Sequence, residues 1–164
     1  MNAGYDVCIE LVPTIIADQA FTSGVVPLQS FERAAIPTQM LPGVGCDRAG
    51  LAPAKRVVTP LPDDGEHELA TCYAVKGLGV VVIASCSHRG IINSVRRAQA
   101  VSGIQKVPAV IGGFHLVRPR TLGEAQRTVA EFARLDPTYL IPMQRTGEVF
   151  IAEALRLLPQ KVVR

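Results

Sequence analysis

The clearest pattern in the chain is a change of period near residue 79. Residues 80–84 form a continuous apolar run rich in β-branched side chains, the signature of a strand buried on both faces. Ser85, Cys86, Ser87 and His88 fill a turn, after which Ile91, Ile92, Val95, Ala98 and Val101 recur at helical spacing. The spacing predicts a helix over 91–102. Apolar runs over 69–76 and 79–84, separated by Gly77-Leu78, predict a hairpin. Strands over 107–111 and 139–142 then alternate with helices over 121–135 and 146–158. Thr121-Leu122-Gly123-Glu124 is a capping-box pattern, followed by the stripe Leu122, Ala125, Val129, Phe132 and Ala133. Pro137 closes that helix. Pro159 closes the last one after Phe150, Ile151, Ala154, Leu155 and Leu158.

The first part of the chain reads differently. Residues 7–12 suit a strand, but prolines at 13, 27, 37, 42, 53, 60 and 62 and glycines at 24, 43, 45 and 50 forbid long helices between 13 and 62. One domain is expected over 1–164, loop-rich over 1–66 and regular over 67–164. Three successive βα units imply parallel strands with right-handed crossovers. Their exit loops then share one edge of the sheet, where polar chemistry collects in α/β folds. Those loops carry Cys86-Ser87-His88, Gly112-Gly113-Phe114-His115 and Met143-Gln144-Arg145-Thr146-Gly147. Two of the chain's three histidines thereby converge.

Composition narrows the class. With 164 residues, 48% hydrophobic and 19% charged, the chain can bury a sizeable core, and a net charge of +3 gives no footprint for nucleic acid or an anionic membrane. No apolar run approaches the roughly 18 residues of a membrane span. The N-terminus shows no basic leader, so the cytoplasm is the expected compartment. Cys8, Cys46, Cys72 and Cys86 form no CxxC pair and read as reduced thiols.

Each motif also has a plain structural reading. His88 can cap its own turn, Cys86 can be a small buried hydrophobe, and Gly112-Gly113 can be a tight strand exit rather than a phosphate cradle. Arg96-Arg97 reads as a solvated helix face. His67-Glu68 opens like a zinc-protease motif, but Thr71 occupies the place of the second histidine.

Taken together, residues 68–116, with Leu-Ala-Thr-Cys-Tyr, Val-Val-Val-Ile-Ala-Ser-Cys-Ser-His-Arg-Gly-Ile-Ile-Asn-Ser and Ala-Val-Ile-Gly-Gly-Phe-His-Leu, resemble the metallo-β-lactamase-fold hydrolases. The likeness is to the branch named after dihydropterin ribofuranosyl-aminobenzene phosphate synthase. Thr22-Ser23-Gly24-Val25-Val26-Pro27, Phe31-Glu32-Arg33 and residues 142–148 resemble flanking segments of that branch. The resemblance implies the C-terminal half of an αββα sandwich, a β-hairpin followed by βαβαβα. It also implies a hydrolase holding one or two zinc ions, acting on a small-molecule substrate. His88 matches the middle metal ligand. His115 matches a position close to the site, as ligand or substrate-orienting group. Gln144 stands at the late ligand position, where a Met-His-Cys-Thr-Gly pattern is expected. The His-x-His-x-Asp-His motif of the family's first half has no counterpart here.

A catalytic zinc takes about three nitrogen, sulfur or carboxylate ligands plus a water. Glutamine's amide oxygen is a poor zinc donor, and Arg145 adds positive charge beside it. The expectation is weak or absent metal and no activity of the chain alone. The alternative is a non-catalytic fragment or binding subunit that pairs with another chain. Either a missing N-terminal half or a second copy would then cover a sheet face carrying Val80, Val82, Val107, Ala109 and Leu140.

Overall fold

The computed structural model describes residues 12–34, 39–41, 49, 52–118 and 120–163. The strand expected over 7–12 lies almost wholly outside them, as do Cys8 and Cys46. A mixed six-stranded sheet is backed by three helices, its strands lying side by side in the order 14–17, 20–22, 70–75, 79–84, 109–112 and 139–142. β5 (Ala70–Val75) and β6 (Gly79–Ala84) form the expected hairpin, pairing Ala70 with Ala84 and Val75 with Gly79. β7 (Ala109–Gly112) and β8 (Tyr139–Pro142) continue in parallel. The crossovers are α1 (Ile91–Ser102) and α2 (Leu122–Leu135), and α3 (Glu148–Leu157) follows β8. β7 starts two residues later than expected, leaving Val107 in the approach. α3 starts after Thr146, with Gly147 as its N-cap.

The loop-rich segment contributes more than expected. β1 (Thr14–Ala17) and β2 (Ala20–Thr22) form a short hairpin, and β2 pairs antiparallel with β5, so residues before 67 extend the main sheet. Strands of four and three residues are too short to declare themselves by alternation. A separate pair, β3 (Gln39–Met40) and β4 (Leu61–Pro62), forms a second small sheet.

Register divides the sheet into two faces. Phe21, Cys72, Val82, Val110 and Leu140 are cross-strand neighbours on one face, and all are buried with the inner residues of α1, α2 and α3. Thr71, Ile83, Ile111 and Ile141 form the matching row on the other face and are only half-buried, with Tyr73 and Tyr139 beside them 41% and 52% exposed. The face expected to lack cover is thereby corrected. Val80, Val82, Val107, Ala109 and Leu140 are all buried; Val80, Val82 and Leu140 lie on the helix-covered face, and the open face is the one of Ile83, Ile111 and Ile141, whose parity Ala109 shares. In α2, Leu122 and Ala133 likewise face outward, and Thr128 takes an inward place.

Candidate active site at the carboxyl edge of the sheet

The three strand-exit loops meet as topology requires. Each contains one non-glycine residue with positive φ: Ser87 at 55°, His115 at 46° and Arg145 at 57°. Such conformations are costly and are retained where surrounding structure enforces them. The cause is close packing. A Cβ on Gly112 would stand 1.8 Å from the Ala84 carbonyl oxygen, and one on Gly113 would stand 2.6 Å from that of Ser85 and 2.7 Å from that of Gln144. The glycine pair is therefore a tight exit that lets three loops touch, not a phosphate cradle.

The next residue, Phe114, anchors its loop. Its ring lies 5.6 Å from that of Phe132 in α2 and 5.4 Å from that of Phe150 in α3. With Phe114 fixed in the core, the left-handed turn at His115 brings that imidazole to His88. The two rings meet edge-on, 4.3 Å between centroids. His115 is buried, and its Nδ1 has no partner. Burial first, then the adjacent His88 and the Arg120 and Arg145 guanidinium groups, push the His115 imidazole below its ordinary value, with Glu68 opposing.

His88 is fixed by an acid the sequence did not single out for the site. Glu68 Oε1 accepts the His88 amide at 2.7 Å and lies 2.9 Å from His88 Nδ1, while Oε2 accepts the Arg89 amide at 2.9 Å. A second buried acid, Glu32, caps α1. Its Oε2 accepts from the amides of Ile92 at 2.9 Å and Asn93 at 3.2 Å, and Gly90 leaves the space it fills. Asn93 Oδ1 accepts the amides of Gln29 and Ser30, clamping that segment to the helix start. Burial pushes the Glu32 carboxyl up to about 6 against these hydrogen bonds. A nearby acid and a polar segment thus replace the side-chain cap that α1 lacks.

Gln144 points across to Cys86, with its amide nitrogen 3.7 Å from the thiol sulfur. Among the described residues, four buried side-chain polar atoms lack a partner: Ser87 Oγ, Arg89 Nε, His115 Nδ1 and Arg120 Nε. Three belong to the loops carrying His88 and His115, and the Arg120 guanidinium lies 3.4 Å from the His88 carbonyl. A cleft of about 360 Å³ opens beside them, lined by Glu68, Thr71, Ile83, Cys86 and His88. A groove of about 240 Å³ at the opposite end of the sheet, between Ile15, Phe21, Ala74 and Ile104, carries no histidine or cysteine. The chemistry lies at the first. His67, the third histidine, is exposed beside Asp63 and lines the same cleft.

The described residues offer two imidazoles side by side. No group of three or more histidine, cysteine, aspartate or glutamate side chains among them is arranged to hold a metal ion. Cys72 and Cys86 are free thiols, and burial pushes the Cys72 thiol up to about 12, leaving it inert.

The fold matches that of the crystal structure of a metal-dependent hydrolase of the β-lactamase superfamily, with a TM-score of 0.70 and 25% sequence identity over 92% of this chain. The fold is that of the metallo-β-lactamase superfamily. The chain spans about half of that solved hydrolase, 52% of its length. It is also 51% identical over 55 residues to the 7,8-dihydropterin-6-methyl-4-(β-D-ribofuranosyl)-aminobenzene-5'-phosphate synthase of Methanocaldococcus jannaschii, a match over 34% of this chain and 18% of the synthase. No family model matches the chain. No helix among the described residues is long and apolar enough to cross a membrane.

Proposed function

We propose that these residues form the part of a metal-dependent hydrolase that supplies His88 as metal ligand, with His115 as a second ligand or substrate-orienting group. The observation that carries the reading is the pair of imidazoles in contact at the carboxyl edge of β6 and β7 on this fold. A zinc ion held there would supply a bound water of lowered pKa as nucleophile toward an ester, phosphoester or related small molecule. The residues described here do not by themselves fit that ion. Two imidazoles fall short of the usual three protein ligands, and Gln144 with Arg145 adds an amide and a positive charge rather than a donor. The remaining donors come from outside the described residues, either another segment or a partner chain. What the chain's own groups do is hold His88 in place through Glu68 and disfavour the charged form of His115 beside it.

The two-ligand site favours a second reading, a non-catalytic binding subunit. In both readings the half-buried row of Ile83, Ile111 and Ile141 is the face a partner or a second copy would cover. Reduced Cys72 and Cys86 suit the cytoplasm.

The test compares the chain alone with the chain joined to a segment bearing His-x-His-x-Asp-His, both supplied with zinc and assayed on ester and phosphoester substrates. Turnover only in the joined form, abolished by His88→Ala, is expected. Turnover by the chain alone would contradict the proposal, and none in a well-folded, zinc-loaded joined form would favour the binding subunit.

A further inference from the structure

The arginines around the carboxyl edge of the sheet divide into two groups. Arg120 pairs with Glu124 at 2.8 Å, Arg89 donates to the Asp64 carbonyl at 3.0 Å, and Arg33 donates to the carbonyls of Ser30 and Glu32 at 2.7 and 2.8 Å. Arg118 and Arg145 are exposed and make no hydrogen bond or ion pair among the described residues. Glu148, the acid nearest Arg145 along the chain, is exposed as well and pairs with neither. The backbones that carry the two free arginines are in contact. A Cβ on Gly147 would stand 2.7 Å from the Leu116 carbonyl oxygen and 3.3 Å from the Val117 amide nitrogen, so the exit loops of β7 and β8 touch within two residues of each arginine. Both loops are held there. The Met143 amide donates to the Gly112 carbonyl at 2.8 Å, and the hydroxyl of buried Thr146 accepts the Phe114 amide at 3.2 Å, fixing Arg145 at its φ of 57°. The Arg120 amide closes a turn on the Val117 carbonyl at 3.0 Å, with Arg118 inside it. His115 directly precedes Leu116, and Arg145 is close enough for its charge to act on that imidazole. A guanidinium without an acid keeps its fork of donors for a ligand, and two of them suit a doubly charged oxyanion that accepts several hydrogen bonds at once.

We infer that Arg118 and Arg145 form an anion-binding site for a phosphate group, and that the small molecule taken at this edge is phosphorylated, its phosphate held on the β7 and β8 exit loops next to His115. The inference deepens the hydrolase proposal by naming a substrate class and rests on it for turnover, but phosphate binding itself needs no metal. The position of Arg145 is cysteine in the Met-His-Cys-Thr-Gly pattern, so this charge is a property of the present chain. A residue kept at positive φ for folding alone would be better served by glycine or asparagine.

The experiment is a ¹H–¹⁵N NMR titration of the ¹⁵N-labelled chain, with chelator present, by inorganic phosphate in slightly alkaline buffer at constant ionic strength, so that screening does not change along the titration. The amides of residues 116–118 and 145–148 are expected to shift saturably, and acetate at matched concentration to move them far less. Arg118→Gln and Arg145→Gln should each weaken binding at least about 10-fold, the loss of one charge-assisted contact. Arg134→Gln, which removes an arginine from the last turn of α2, should leave the titration unchanged. Shifts that do not saturate, that acetate reproduces, or that either the Arg118 or the Arg145 variant leaves intact would overturn the inference. Where Arg145→Gln fails to fold, Arg145→Gly, which relieves the positive φ, takes its place. The joined form keeps the two ideas apart. Phosphate binding by the chain with no turnover by the zinc-loaded joined form retains the anion site and removes the hydrolase reading; turnover without phosphate binding does the reverse.

Discussion

At the scale of single residues, the site is a set of close approaches that few side chains survive. Gly112 combines a φ of 128° with a Cβ position 1.8 Å from a backbone oxygen. Gly112→Ala is expected to cost at least about 2 kcal/mol in urea unfolding, from backbone strain plus overpacking. Gly77→Ala, at a turn with open space around it, should cost only the strain of its positive φ, about 1 kcal/mol. Glu32 gives a pH signature. Its carboxyl is raised to about 6 from an ordinary 4.5, so between those values the folded chain holds a proton that the unfolded chain has released. Its contribution to stability is fully present below the unfolded value and falls as pH rises from about 4.5 to about 6, by roughly 2 kcal/mol in all. Denaturation of wild type and Glu32→Gln across that window should show their difference changing in this direction; a difference that stays flat would contradict it. That His88 and His115 meet at one sheet edge was legible from strand ends and turn chemistry. Glu68 and Glu32 were not, because each acts on residues 20 and 60 positions away, and nothing in a local pattern announces a buried acid placed by tertiary packing.

At the scale of elements, local chemistry predicted most boundaries. The capping box at Thr121 and Glu124 is present in both directions, so Thr121→Ala is expected to lower stability by about 1 kcal/mol, with loss of amide protection in the first turn of α2. The Phe114, Phe132 and Phe150 cluster ties α2 and α3 to the loop that carries His115. Phe132→Ala should cost about 3–5 kcal/mol and, unlike a surface change, disturb the His115 resonances. The β1–β2 hairpin escaped sequence reading, since a strand of three residues between turns carries too few positions to show a period. Arg96 and Arg97 were also misjudged as a solvated face. Arg96 pairs with Glu131 of α2 at 3.1 Å, and Arg97 donates to the Ser23 carbonyl at 2.9 Å, tying α1 to its neighbours.

At the scale of the molecule, one sheet face is sealed by helices and the other presents a half-buried aliphatic row. Such a face on a free chain predicts self-association or binding of a hydrophobic dye. A sharply melting monomer in analytical ultracentrifugation that binds no dye would remove the case for a covering partner. The fold class and helix-backed parallel strands followed from the βα pattern, but which parity of the strands faces the helices did not, because buried runs such as Val80, Val81 and Val82 are apolar on both faces. Replacing Gln144 by His and Arg145 by Cys restores donors at the third loop, and this double variant is expected to bind zinc more tightly without gaining turnover. If these residues supply only part of a metal site, the chain alone holds zinc poorly. The most direct measurement is zinc content by elemental analysis after gel filtration of the chain alone, without chelator. Clearly less than one zinc per chain is predicted, and one tightly held zinc per chain would contradict it.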